Sequence, residues 1–284
     1  MRFRRIYLEI GNVCNLRCSF CPGTRREPHL LSPEEFHILA SKVREYTEYL
    51  YFHLMGEPLL HPELAAFLDE SERLAFKVMI TTNGTLLPEK GKLLLDAPAV
   101  HKVNLSLQSY EANTSGELES YLRGCTDFVK EAASRGILCE FRLWNQGGLN
   151  SRNQEILAFL HRAFREPWRE SRNGQKLAQR VWLDPGERFD WPDLELNKVQ
   201  ETGFCYGLRD QIGVLCDGTV VPCCLDHEGD IPLGNLFQQE LRDILESPRA
   251  RAIYEGFSAR KVVEPLCKRC GYATRFQNKR RKSS

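Results

Sequence analysis

The chain has 284 residues, 42% of them hydrophobic and 27% charged, with 39 Lys and Arg against 38 Asp and Glu. That is enough sequence for one large core plus a small appendage, and a net charge of +1 singles out no class of partner. No run of about 18 apolar residues occurs, and the start MRFRRIYLEIG lacks an apolar signal core; neither a membrane span nor a secretory peptide is expected, and the cytoplasm is the default compartment.

In chain order, RRIYLEIG (4–11) predicts a strand that runs into a cysteine-bearing loop. From Ser32, SPEEFHILASKVREYTEY has an N-cap serine, proline at the first helical position and two acids in the first turn, which predicts a helix. Strand and helix then alternate: strand 50–55 and helix 62–74, strand 76–82 and helix 88–95, strand 101–108 and helix 117–135, strand 137–144 and the helix NQEILAFLHRAF. RVWL (180–183) supplies a sixth strand. Six such units imply α/β architecture with a parallel sheet, either doubly wound or a partial (βα)6 TIM-like barrel, with chemistry at the strand C-termini. DPGERFDWPDLE reads as a linker, which divides the chain into 1–190 and 191–284. Beyond it, IGVLCDGTVVPCC predicts a hairpin about a primed Asp217-Gly218 turn, followed by a helix over about 239–256.

Eleven cysteines in a reducing compartment argue for metal or redox chemistry over disulfides. Nine of them cluster: Cys14, Cys18 and Cys21 near one end, and Cys205, Cys216, Cys223, Cys224, Cys267 and Cys270 near the other. Cys125 and Cys139 read as small buried hydrophobes in a helix and a strand. Three thiolates within CNLRCSFC leave a tetrahedral metal short of one ligand. A zinc site completed by His29 and a [4Fe–4S] cluster with one open iron both satisfy that arithmetic.

With Phe20 just before the third cysteine, the C-x3-C-x-aromatic-C loop resembles the signature of the radical S-adenosylmethionine (SAM) enzymes. The resemblance implies that SAM completes the cluster on Cys14, Cys18 and Cys21, and that its reductive cleavage to a 5′-deoxyadenosyl radical abstracts hydrogen from a substrate. It extends to LMGEP, similar to the GGEP motif that holds the methionine amino group, here Gly56, Glu57 and Pro58; to ITTNG, with Thr82 and Asn83; and to Ser106, similar to a serine that contacts the SAM ribose. Asn104, Ser106 and Gln108 alternate onto one strand face, and so do Glu140, Arg142 and Trp144. Glu140 and Arg142 are candidates for holding SAM or substrate, or for pairing with each other.

The second cysteine group resembles SPASM and twitch domains, and its pattern is similar to that of 2-deoxy-scyllo-inosamine dehydrogenase. It implies one auxiliary [4Fe–4S] cluster on Cys205, Cys223, Cys267 and Cys270, with Cys216 and Cys224 outside the ligand set. Structural zinc is the competing reading of the same spacing. A net two-electron oxidation follows for a small-molecule or peptide substrate, with a flavodoxin- or ferredoxin-type electron donor. With the first cysteine at position 14, no leader-capturing domain is expected ahead of it. Glu140, and Asp226 and His227 just past Cys223, are candidate proton acceptors, the latter two in a loop expected to be solvated. The basic end KRRKSS suggests a tRNA contact as an alternative, and a zinc-stabilised binding protein without catalysis is the reading from a different class.

Overall fold

The computed structural model describes residues 2–112, 117–171, 174–197, 199–273 and 275–276; the basic end at 279–284, weighed above as an RNA contact, lies outside them. Strands and helices follow in the order β1 (Arg5–Leu8), α1 (Pro33–Val43), β2 (Tyr49–Tyr51), α2 (Leu64–Arg73), β3 (Lys77–Thr82), α3 (Leu87–Asp96), β4 (Val100–Ser106), α4 (Leu118–Ser134), β5 (Leu138–Gln146) and α5 (Asn153–Ala163). Then come β6 (Arg169–Ser171), β7 (Gly174–Ala178), β8 (Val181–Glu187), β9 (Gln211–Val214), β10 (Thr219–Val221), β11 (Gly234–Asn235), α6 (Leu241–Leu245), α7 (Pro248–Ser258) and α8 (Pro265–Lys268). Among the described residues no helix is long and apolar enough to cross a membrane.

The chain packs as two compact units, neither continuous in sequence: one holds 1–12, 24–55 and 189–284, the other 13–23 and 56–188. In the first, the strand order is β11-β10-β9-β1-β2. β1 is parallel to β2 on one side and to β9 on the other, with Ile6 opposite both Leu50 and Ile212. In the second, the order is β3-β4-β5-β8-β7-β6, parallel from β3 through β8. The core is built by strand and helix side chains together: Ile6, Leu8, Leu39 and Phe36 in the first unit, Ile80, Val103, Leu105, Phe141 and Leu122 in the second, each at 1% exposure or less. α1 begins as expected, its Ser32 and Glu35 forming a reciprocal capping box. Cys125 in α4 and Cys139 in β5 are buried.

Several expected elements differ. β2 stops at Tyr51, because the following chain must turn through Gly56, whose φ is +81°. β4 ends at Ser106 and passes into a 3₁₀-helix (Leu107–Ala112), which takes Gln108 off the face it was expected to share with Asn104. The β6–β7 hairpin was not anticipated, and β8 runs on through Asp184-Pro185-Gly186, residues read as linker. Pro185 stands opposite Leu143 in the parallel pairing of β8 with β5.

The β9–β10 turn is also longer than expected. Gly218 N–H donates to Leu215 O and Leu215 N–H to Thr219 O, and only Gly218, not Asp217, has positive φ. That is a three-residue loop with glycine in the left-handed position, and it places Cys216 in the turn, off the strand. The expected helix over about 239–256 breaks in two, since Ser247 caps a new start at Pro248.

Candidate functional site

The loop bearing Cys14, Cys18 and Cys21 belongs to the second unit, together with the ends of β3, β4 and β5. Cys14 and Cys21 are exposed and Cys18 and Phe20 half-buried. The loop is tied down at several points. Glu57 N–H donates to Val13 O at 2.9 Å, Asn83 Nδ2 to Asn15 Oδ1 at 2.8 Å, Ser19 Oγ to Glu111 Oε1 at 2.7 Å, and Arg188 Nη2 to Ser19 O at 3.0 Å.

Glu57 and Asn83 are joined directly. Glu57 Oε2 accepts the Asn83 N–H at 2.7 Å, and Oε1 accepts the Leu59 N–H at 3.1 Å, capping the short 3₁₀-helix that Pro58 opens. Only 5% of Glu57 is exposed, and burial raises its carboxyl to about 7 despite those donors. Each oxygen keeps capacity for a further donor, which suits an ammonium group. Thr82 is buried, its hydroxyl hydrogen-bonds Glu57 and it accepts the Gly84 N–H.

A polar wall continues across β4, β5 and β8. Glu140 accepts Lys102 Nζ at 2.6 Å and Arg142 Nε at 3.0 Å, and the Arg142 guanidinium lies 4.7 Å from the Trp144 ring centre. The Trp144 indole N–H donates to Asp184 Oδ2 at 3.0 Å, and Ser106, Arg142 and Asp184 occupy matched positions on the three strands. Although burial works the other way, the two cations hold the Glu140 carboxyl below its ordinary value; burial and the Glu140 charge hold that of Asp184 above it. Asn104 donates to Thr81 Oγ1, while its buried Oδ1 has no partner among the described residues. Sequence reading missed Lys102 and Asp184. Lys102 was legible, since it alternates with Asn104 and Ser106; Asp184 was hidden by turn-like neighbours.

In the first unit Cys205, Cys223, Cys267 and Cys270 all line one pocket of about 580 Å³, its open mouth included, with Phe204, Leu225, Phe257, Leu266, Tyr272 and Phe276. A Cβ at Gly207 would meet Pro222 O at 3.0 Å and the side chains of Cys205 and Cys223 at 3.7 Å, so the loop is shaped closely around these two cysteines. Burial pushes the Cys205 thiol up to about 12 and those of Cys223 and Cys267 well above the ordinary thiol value. Thiolates persist in such surroundings only beside compensating positive charge, which the irons of a cluster provide. Cys224 stays outside the pocket: its thiol hydrogen-bonds Tyr7 and packs beside Leu54, Leu215 and Val221. Cys216 lies instead against Arg26, which forks onto the fully buried Glu9 at 2.7 and 2.8 Å. Asp226 and His227 are buried, against the solvated loop expected for them: Asp226 accepts the N–H groups of Asp230 and Ile231. The His29 imidazole stands 3.7 Å from Glu35 in this unit, and no three His, Cys, Asp or Glu among the described residues are grouped as around a single metal ion.

A family model described as the radical SAM superfamily matches residues 8–159, more than half of the chain. The chain belongs to the radical SAM superfamily. A second model, SPASM, an iron-sulfur cluster-binding domain, matches residues 205–271. As a radical SAM enzyme the protein uses SAM and a [4Fe–4S] cluster, with auxiliary iron-sulfur in its SPASM domain, and the zinc-stabilised binding protein is set aside. The GTP 3′,8-cyclase of Microcystis aeruginosa is 25% identical over 88% of this chain and 90% of its own; that of Geobacter sulfurreducens is 34% identical over 43% of this chain and 41% of its own. Among solved structures, BtrN in complex with AdoMet and 2-DOIA aligns with TM-score 0.55 and 18% identity over 95% of this chain and 93% of that one. The AdoMet-bound anSMEcpe aligns with TM-score 0.63 and 13% identity over 96% and 90%. These likenesses fix the fold as the partial-barrel α/β architecture.

Proposed function

We propose that this radical SAM protein is an oxidoreductase that removes two electrons from a polar, hydroxyl- or amine-bearing substrate, a small molecule or a peptide side chain. The observation that carries the reading is the single pocket lined by Cys205, Cys223, Cys267 and Cys270. Four thiolates fill every ligand position of one auxiliary [4Fe–4S] cluster, which leaves it no iron for substrate and an electron-accepting role. Cys14, Cys18 and Cys21 would hold the other cluster, which with SAM would supply the radical chemistry that removes one hydrogen atom from the substrate. Loss of a further proton and one electron completes the oxidation.

The chain's own residues position the reactants. Gly56, Glu57 and Pro58 would form the shelf for the SAM ammonium group, Thr82 and Asn83 would brace it, Ser106 would serve the ribose, and Phe20 flanks the third cysteine. Arg142, fixed from behind by Glu140 and stacked on Trp144, keeps its two Nη groups available for a carboxylate or hydroxyl. Glu140 is engaged by two cations and serves that orientation. Asp184, on the same wall and with its carboxyl raised, is the group suited to accept the proton.

The likeness to GTP 3′,8-cyclase over 88% of the chain favours a second reading, cyclisation of GTP. Against it, Lys102 and Arg142 share Glu140 and stand near Asp184, two carboxylates to two cations, so this wall offers no net positive charge to a triphosphate. Anaerobically reconstituted protein given SAM and dithionite, with and without GTP, separates the two. An unchanged rate of 5′-deoxyadenosine formation supports the oxidoreductase; GTP-dependent acceleration with consumption of GTP supports the cyclase.

A further inference from the structure

A layer of hydrogen bonds behind the SAM shelf reaches from α4 to the cysteine loop. Tyr121, half-buried in α4, donates its hydroxyl to the Asn83 carbonyl at 2.8 Å. In the preceding peptide unit, across the Asn83 Cα, the Asn83 N–H meets Glu57, while the Asn83 side chain is engaged at both ends. Its Nδ2 donates to Asn15 Oδ1, and its Oδ1 accepts Thr85 N–H at 3.0 Å and Thr85 Oγ1 at 2.7 Å. Asn15 closes the ring by donating to Thr85 Oγ1 at 2.9 Å. The fit against α4 is close: Gly84 has φ +81°, and a Cβ there would stand 2.9 Å from Cys125 Sγ and 3.2 Å from Tyr121 Oη.

We infer that Tyr121 is a positioning residue for SAM: by holding the Asn83 carbonyl it sets the Asn83 N–H toward Glu57 and the Asn83 amide toward Asn15, coupling the ammonium shelf to the cluster loop. Asn83 thereby acts through its neighbours: its Oδ1 is taken up by Thr85, and its Nδ2, which carries two N–H donors, serves Asn15 and the Cys14 thiol. The inference rests on the reading of Glu57 as the acceptor of the SAM ammonium group. A backbone less firmly held at Asn83 would leave Glu57 with one fewer fixed donor and the loop with a looser tether, and both would weaken SAM binding while every cluster ligand is kept.

The test uses the full chain with its clusters reconstituted anaerobically, and SAM as the probe. Tyr121→Phe keeps the ring, which packs 5.3 Å from Tyr110, and deletes only the hydroxyl. Expected are native iron content and melting temperature, a SAM dissociation constant raised about three- to tenfold, the worth of one neutral hydrogen bond, and a smaller SAM-induced change in the EPR spectrum of the reduced protein. Native affinity and a native SAM-induced spectrum would overturn the proposal, and so would loss of iron and melting temperature, which would make the hydroxyl a fold-holding group. Cys125→Ala, which alters packing beside the hydroxyl but leaves its donation to Asn83, is expected to bind SAM normally; an equal weakening there would also overturn it. Glu57→Gln in the same assay tests the underlying reading separately, since only that reading requires the variant to lose SAM affinity even where Tyr121 is intact.

Discussion

Glu57, at the cap of a short 3₁₀-helix, and Asn83, just past β3, are joined by a backbone-to-carboxylate hydrogen bond of 2.7 Å that is itself buried. A carboxylate with two N–H donors would ordinarily titrate low, yet burial outweighs them here. The shelf is therefore poised: neutral in acid, and anionic when a cationic partner or higher pH favours ionisation.

Affinity for SAM is expected to rise as pH increases from about 6 to about 8, because Glu57, raised to about 7, must be ionised to accept the ammonium group. Stability without SAM runs the other way. A folded value above the unfolded one of 4.5 contributes stability that is present below 4.5 and lost as pH rises through about 7. SAM binding across that range, native against Glu57→Gln, checks both the slope and its disappearance in the variant.

Alanine at Cys14, Cys18 and Cys21 is expected to lower iron from about eight to about four per chain and to abolish 5′-deoxyadenosine formation. Alanine at Cys205 or Cys267 is expected to lower iron by the same amount and leave SAM cleavage by the other cluster measurable. Iron and sulfide assays beside a SAM-cleavage assay distinguish the two sets.

Glu140→Gln leaves Lys102 and Arg142, each about four-fifths buried, without their shared counter-charge. Removing one partner of such a set costs about 3 kcal/mol, to be read from denaturant unfolding at pH 7. Because the folded Glu140 value lies below the unfolded one, its contribution in the native protein is present above about 4.5 and fades as pH falls through the lowered value. The variant is expected to lack that part of the acid sensitivity.

Gly84→Ala places a Cβ against Cys125 Sγ and Tyr121 Oη in a left-handed backbone position. A destabilisation of about 2 kcal/mol is expected from strain and overpacking together, with weaker SAM binding, both measured on reconstituted protein.

Local chemistry was enough to read the alternation of strands and helices, the capped start of α1 and the two groups of cysteines, because periodicity, capping and ligand spacing are properties of neighbouring residues. The motif residues could be named for the same reason. Which side chains are free to act was decided in three dimensions. Glu140 proved to be claimed by Lys102, 38 positions away, Asn83 by Asn15 and Tyr121, and Asp226 by a buried turn. The pairing of β9 with β1 brings residues some 200 apart in sequence into register and carries the C-terminal hairpin into the first unit. No local signal encodes such partners: they follow from where the sheet sets each strand and from the requirement that every buried polar group find a complement.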